Sequence, residues 1–245
     1  MARDRNSLGA SVSIVLSVLD DAAHLPILLR QLPDEHEVVL VDRGSCDSTI
    51  AVAHEARPDA RVLRRPGASR GSALAAGFAT ATGDVIATLP VDGSADPAEL
   101  PRFVEAIERG ADFAKGSRFL AGGGASDATS LEIASNHVVS WLGRHAARLE
   151  LSDPSYGFYA ISARLRDRLD LTDVDTLRID TLVALRSVAA GAAVAEVPSV
   201  QRFRIFGRSG HGLVDGVRDA RAILAERRRP RPAVRRDRLE RALVS

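Results

Sequence analysis

At 245 residues the chain has room for one α/β domain, or for a domain with a small appendage. Its 45% hydrophobic content supports a sizeable core, 27% charged residues describe a solvated surface, and a formal net charge of +1 supplies no global field for nucleic acid. Cys46 is the only cysteine, which excludes an intrachain disulfide or a cysteine-rich metal site and agrees with a reducing cytoplasm. The first apolar run, residues 12–19, is too short to span a bilayer. No other run reaches the roughly eighteen apolar residues a membrane helix needs, so the chain reads as soluble or peripheral. Positive charge is local: from Glu226 to Ser245 eight arginines face three acids. Lys115 is the only lysine.

Strand-like and helix-like segments alternate through the first half, the pattern of a parallel sheet with crossover helices. Val12–Val18 predicts a first strand, and Asp20 and Asp21 predict the cap of a helix running to about Leu32, with Pro26 in its first turn. Glu37–Asp42 predicts a second strand, followed by a turn at Arg43-Gly44-Ser45 and a helix opened by Asp47-Ser48-Thr49. Arg61–Arg64 is a short third strand, and Arg70–Thr80 a small-residue helix closed by Gly83. Residues 85–89 form an uninterrupted apolar strand closed by a loop with Asp92, Gly93, Ser94 and Asp96. An amphipathic helix follows at 97–109, and a fifth strand at 111–115 ends in Gly116-Ser117-Arg118.

The pattern then changes. Residues 121–126 are too glycine-rich for regular structure, 131–149 form a long helix, and 153–159 a turn leading into a short strand near Tyr159–Ser162. A helix at 179–190, a late strand at 193–200 and a last helix at 212–227 complete the domain. Residues 228–245 form a basic, loosely ordered tail. Beside Ala233, Val234, Leu239 and Leu243, its arginines read either as a contact with an anionic bilayer or as a solvated end. The long helix, with Trp141 and Leu142, packs either on the domain or against a second copy in a homodimer.

In open α/β sheets ligands bind outside the carboxyl ends of the strands, and Asp42 and Asp92 both end parallel strands. Asp42 suits hydrogen bonds from a base or ribose, and Asp92 suits a hard divalent cation, Mg²⁺ or Mn²⁺, bridging a diphosphate. Each acid alone reads equally as a helix cap. The phosphate loop G-x-x-x-x-G-K-[ST], the G-x-G-x-x-G turn, the H-E-x-x-H zinc pair and the G-x-S-x-G elbow are all absent, which disfavours P-loop, Rossmann, zinc-hydrolase and serine-hydrolase chemistry.

The ordered pieces VSIVLSVLDD, VLVDRGSCDST, RGSALAAGF, GDVIATLPVDGSADP, GSR, a glycine loop, DPSYGF and EVP followed by R-x-x-G-x-S resemble a family 2 glycosyltransferase of the GT-A fold. The dolichol- or polyprenyl-phosphate mannosyl- and glucosyltransferase-like enzymes are the closest subgroup. The resemblance spans roughly Val12 to Gly212 and implies a mostly parallel sheet flanked by helices. It implies inverting transfer from a UDP- or GDP-sugar to an acceptor such as a polyprenyl phosphate, at the cytoplasmic side or the inner face of the membrane.

By the same resemblance, Ser17, Asp20, Asp21, Asp42, Arg43, Arg70, Asp92, Gly93, Gly116, Ser117, Arg204 and Ser209 line the nucleotide-sugar site. Asp92 is the metal-side acid of an Asp-x-Asp motif. Arg118 is expected to brace the diphosphate, and Asp153 to take a proton from a hydroxyl acceptor, whereas a phosphate acceptor needs no base. The chain departs from the family pattern at Ser17, in place of a proline, at Arg43, in place of an acid, and at Gly67 and Ser69, in place of Asn and Gly. Most seriously, Pro90 removes the first acid of Asp-x-Asp, and Arg43 is a candidate to supply the missing positive charge. Two other readings stay open from these residues: a degenerate homologue acting as a partner subunit, and another nucleotide-diphosphate reaction such as nucleotidyl transfer.

Overall fold

The structure, a computed structural model, describes residues 9–126, 130–147, 149–171, 174, 179–202, 221 and 223–226. Its strands are β1 (Val12–Val18), β2 (Glu37–Asp42), β3 (Arg61–Arg64), β4 (Val85–Thr88), β5 (Phe113–Ser117), β6 (Gly124–Ala125), β7 (Tyr159–Ser162), β8 (Val194–Pro198) and β9 (Val200–Gln201). The helices are α1 (Leu25–Leu29), α2 (Thr49–Ala56), α3 (Arg70–Thr80), α4 (Leu100–Glu108), α5 (Ser130–Ala147), α6 (Ala163–Arg166) and α7 (Ile179–Ala189). Seven strands make one sheet in the order β3-β2-β1-β4-β7-β5-β8, in which β7 runs antiparallel to both neighbours and every other pair is parallel.

Alternation along the strands divides the core into two layers. Ile14, Leu16, Val18 and Leu40 pack with Leu25 and Leu28 of α1, Ala53 of α2 and Phe103 of α4. Val15, Val39, Val41 and Ile86 face the other way, onto Leu74 and Phe78 of α3 and Val183 of α7. Aromatic rings tie β7 into both layers: Phe158, just before it, stacks on Phe103 at 4.1 Å, and Tyr159 meets Phe78 and Phe113 edge-on at 6.3 and 5.7 Å. Full burial of one such side chain is worth about 1.5–3 kcal/mol. No helix among the described residues is long and apolar enough to cross a membrane. Val138 and Trp141 of α5 point outward, the Trp141 ring lying 4.7 Å from that of His145.

Four expectations are corrected. The first helix does not run from an Asp20–Asp21 cap to Leu32 but is confined to Leu25–Leu29, with His24 at its N-cap position and no side-chain cap. Asp21 turns back to accept the Leu19 N–H at 2.8 Å and meet His24 Nε2 at 2.9 Å, so it is not available to cap. The glycine-rich stretch is not devoid of regular structure, because Gly124 and Ala125 pair in parallel with Val200 and Gln201. Strand β5 sits two residues later than read and takes in Gly116 and Ser117, and the late strand divides into β8 and β9. Most of the last expected helix lies outside the described residues, although 221 and 223–226 are helical, and all of the basic tail lies outside them.

Lys115 is fully buried in β5, donating from Nζ to the Tyr156 carbonyl and lying 4.9 Å from the Tyr159 ring centroid. Burial lowers its pKa to about 8, against the opposing pull of Asp180 and Asp153 and with the help of Arg118 and Arg70. Below that pH both folded and unfolded chains carry the charge and the folded chain bears the full burial cost. Between it and the ordinary lysine pKa of 10.5 the folded chain has lost the proton and the unfolded chain has not, so stability rises with pH. Urea denaturation is therefore expected to show a gain of about 2 kcal/mol between roughly pH 7.5 and 9.5, absent in Lys115→Met. A flat wild-type profile contradicts the assignment. Above that window Tyr156 and Tyr159, whose burial raises their pKa values, act in the opposite direction.

Candidate active site

The register Val18↔Asp42 sets the carboxyl ends of β1 and β2 level, and the loops that follow them are laced together. Asp20 adopts φ 55°, the left-handed region, and its carboxylate accepts the Cys46 N–H at 2.7 Å while its own N–H donates to Ser45 Oγ at 3.1 Å. The Asp21 N–H donates to Thr49 Oγ1 at 2.8 Å. Asp42 is fully buried, and its Oδ1 accepts the N–H groups of Ser45 at 2.8 Å and Gly44 at 3.3 Å. Burial acts to raise its pKa, but hydrogen bonds from the Ser45 hydroxyl and these N–H groups, helped by Arg64, outweigh it and hold the group below the usual carboxylate range.

Three polar atoms at this edge are buried without a hydrogen-bond partner: Ser17 Oγ, Asp42 Oδ2 and Arg43 Nε. The nearest cation to Asp42 Oδ2 is Arg64, whose Nε lies 3.5 Å away. Native proteins leave few buried polar groups unsatisfied, each at a cost of about 1–3 kcal/mol. Three from the ends of two adjacent strands mark a place built for a polar ligand.

After β4 the chain turns through Gly93 at φ 78°, and Asp92 Oδ1 accepts the Ser94 N–H at 3.0 Å and its hydroxyl at 2.6 Å. Asp96 takes the capping role, accepting the Ala98 N–H at 3.1 Å, and pairs with Arg202. Arg70 opens α3 and binds Asp180 through two nitrogens, Nη1 at 2.6 Å and Nη2 at 3.2 Å. A Cβ on Gly157 would lie 3.2 Å from Arg70 Nη2 and 3.4 Å from Pro90 Cγ, so both border Gly157, and the charge of that guanidinium also reaches Asp92.

The donor set for a resident divalent cation is therefore poor. Among the described residues no group of three or more His, Cys, Asp or Glu is placed to hold a metal. The one candidate carboxylate has an oxygen committed to Ser94 and lies in the field of Arg70. Among the described residues, with Pro90 where a second acid is expected, this donor set does not fit a resident metal.

Antiparallel β7 brings the turn before it to the same edge, with Tyr159 opposite both Thr88 and Lys115. Gly116 leaves no room for a side chain there, since a Cβ would meet the Phe158 carbonyl at 2.7 Å. Asp153 is fully buried and accepts Arg118 Nε at 2.6 Å, Nη2 at 2.9 Å and the backbone N–H at 3.2 Å. Gln201 Oε1 takes Arg118 Nη1 at 2.6 Å, and the Tyr156 ring covers the guanidinium at 5.0 Å. Ser117 Oγ pairs with Ser152, which also donates to Glu196, while Asn136 and Ser140 of α5 each hold the Ser152 carbonyl at 3.0 Å.

Sequence reasoning missed Asp180, Gln201, Glu196 and Asn136, whose partners lie far away in the chain and leave no local spacing signal. Arg204 and Ser209 lie outside the described residues. The remaining expected positions gather along the carboxyl edge in two groups: Ser17, Asp20, Asp21, Asp42 and Arg43 around β1 and β2, and Gly116, Ser117, Arg118 and Asp153 around β5. Arg70, Asp92 and Gly93 belong to the elements between them.

A polyprenol monophosphomannose synthase of Mycolicibacterium smegmatis is 29% identical over 201 residues, 76% of this chain and 75% of that protein. An uncharacterized glycosyltransferase of Mycobacterium tuberculosis is 37% identical over 110 residues, 45% of this chain, and the match takes in 50% of the relative's length. The crystal structure of glucosyl-3-phosphoglycerate synthase from Mycobacterium tuberculosis, in complex with Mn²⁺, UDP and glucosyl-3-phosphoglycerate, superposes with a TM-score of 0.65 at 22% identity, covering 89% of this chain and 78% of that one. The fold is thus the GT-A fold. The family profile described as Glycosyl transferase family 2 matches residues 25–170, more than half of the chain, and the chain belongs to glycosyl transferase family 2.

Proposed function

We propose that this chain transfers a sugar from a UDP- or GDP-sugar, with inversion, to a polyprenyl phosphate presented at the inner face of a membrane. The observation that carries the reading is the set of unsatisfied atoms Ser17 Oγ, Asp42 Oδ2 and Arg43 Nε at the ends of β1 and β2. A nucleoside diphosphate offers what each lacks: N–H or O–H donors of base and ribose for Asp42, and phosphate oxygens for Ser17 and Arg43. The name of the mycolicibacterial relative supports a polyprenyl acceptor.

In this reading the acceptor phosphate oxygen attacks the anomeric carbon in line. The bond from that carbon to the diphosphate oxygen breaks, and the electron pair leaves with the nucleoside diphosphate. No proton has to move, because the acceptor is already anionic. That suits Asp153, both of whose oxygens are held by Arg118. Asp153 acts by positioning Arg118, and Gly116 and Ser117 shape the wall beside it. On the family resemblance Arg204 and Ser209, outside the described residues, are assigned to the nucleotide sugar. No step is routed through a metal.

Titration calorimetry with UDP, GDP and their glucose and mannose conjugates tests the donor, and transfer of labelled sugar to polyprenyl phosphate in detergent tests the reaction. Asp42→Asn keeps the Oδ1 acceptor for Gly44 and Ser45 but turns a donor toward the ligand. It is expected to weaken nucleotide binding by about tenfold or more, roughly 1.4 kcal/mol, with folding retained. Asp153→Asn is expected to lower the transfer rate by about 10²-fold while nucleotide affinity changes little, because it loosens Arg118 alone. Nucleotide binding without transfer to any polyprenyl phosphate would instead favour the partner-subunit reading.

A further inference from the structure

Arg43 is the anomaly of this site. It directly follows Asp42 on the chain, held by its N–H on the Val18 carbonyl at 3.0 Å and by its own carbonyl, which accepts the Gly67 N–H at 3.0 Å. Its backbone is therefore clamped between the end of β1 and the loop after β3. Its side chain has no such anchor: Nε is buried without a hydrogen-bond partner, and no carboxylate forms an ion pair with the guanidinium among the described residues. The charged groups that face it are Asp21 and Arg70, of opposite sign to each other, and burial together with Arg70 lowers its pKa. A guanidinium nitrogen buried without an acceptor is costly, and an arginine fork is matched in shape and charge by phosphate oxygens.

Arg70, whose charge acts on Arg43, has Asp180 occupying two of the five N–H donors a guanidinium carries. Position 90, where the first metal-side acid is expected, holds a proline that borders Gly157, as this same guanidinium does. The loss of one carboxylate and the presence of an unpaired arginine are thus features of one neighbourhood.

We propose that Arg43, backed by Arg70, braces the leaving diphosphate directly and that diphosphate recognition in this chain needs no divalent metal. The proposal rests on the nucleotide-sugar reading above and identifies how the charge of that substrate is met. Arg43 supplies the fork to a terminal phosphate oxygen, satisfying the buried Nε. Arg70, held by Asp180, offers the N–H donors that Asp180 does not take. Charge that grows on the departing phosphate is then stabilised by groups already in place.

The test is calorimetric titration of the full chain with UDP, GDP, UMP and GMP, first in EDTA and then with Mg²⁺ or Mn²⁺. The expected result is that the nucleoside diphosphate for the preferred base binds in EDTA at least about tenfold tighter than its monophosphate, with little gain from metal. Arg43→Gln should erase that advantage without changing monophosphate affinity, and Arg43→Lys should restore part of it, with thermal melts confirming folding. A diphosphate advantage that appears only with metal, or that survives Arg43→Gln, overturns the proposal. If Arg43→Gln does not fold, the wild-type comparison in EDTA decides by itself: equal affinities for di- and monophosphate overturn the brace. Absence of binding by every nucleotide in every condition overturns the nucleotide-sugar reading and the brace with it. Monophosphate binding without a diphosphate advantage overturns the brace alone.

Discussion

The ion pair between Asp153 and Arg118 depends on the direction of one strand. Strand β7 enters the sheet between β4 and β5 against their direction, so the turn that precedes it arrives at the edge where its neighbours end. A parallel strand in that slot would carry the Asp153 turn to the opposite edge. Close packing fixes the arrangement: Gly116 passes the Phe158 carbonyl with no space for a Cβ, and Phe158 stacks on Phe103 of α4. The polar supports of the turn come from three further elements, with Asn136 and Ser140 on α5, Glu196 on β8 and Gln201 on β9. The buried Arg118–Asp153 pair thus has hydrogen-bonded partners around it, as a polar network in a low-dielectric setting needs.

The other half is built on the opposite principle. Around β1 and β2 the backbone is held firmly, by the Asp20–Cys46 and Asp21–Thr49 bonds, while Ser17, Asp42 and Arg43 keep buried polar atoms unsatisfied. Asp20 itself adopts a conformation that costs a non-glycine residue of order 1 kcal/mol or more. Cost concentrated where a ligand can relieve it is what distinguishes a binding edge from a core edge. A sheet with two such unlike groups of side chains along the same rim can fix one wall and still leave the other side open to a polar ligand.

Between the two halves lies the point where this chain departs from the family it belongs to. Pro90 and Arg70 converge at Gly157, and Asp92 turns its Oδ1 to Ser94. The departures at positions 43 and 90 both make the site more positive: an acid is missing from the β4 loop, and an arginine stands in place of an acid after β2. Arg70 links them, since its charge acts on both Arg43 and Asp92.

Much of the frame was legible in the residues. The bounds of β1, β2, β3 and α3 follow from apolar runs closed by charged or small residues, and these signals are local. Asp42 and Asp92 stand out because each ends such a run, whereas Asp153 stands out only through the family resemblance. The first helix misled because Asp20-Asp21 has the chemistry of a cap, and only the approach of the second loop gave those carboxylates and N–H groups other partners. The glycine stretch misled because β6 exists only by pairing with β9, some 75 residues away. Sequence by itself determined the alternating layers, the strands whose ends carry acids and the missing carboxylate at position 90. The tertiary structure alone decided the direction of β7, the coupling of Arg118 to Asp153 and of Arg70 to Asp180, and which polar atoms are left without partners. Those are long-range facts: they depend on segments that meet only after the sheet has closed around its core, and no local periodicity encodes them.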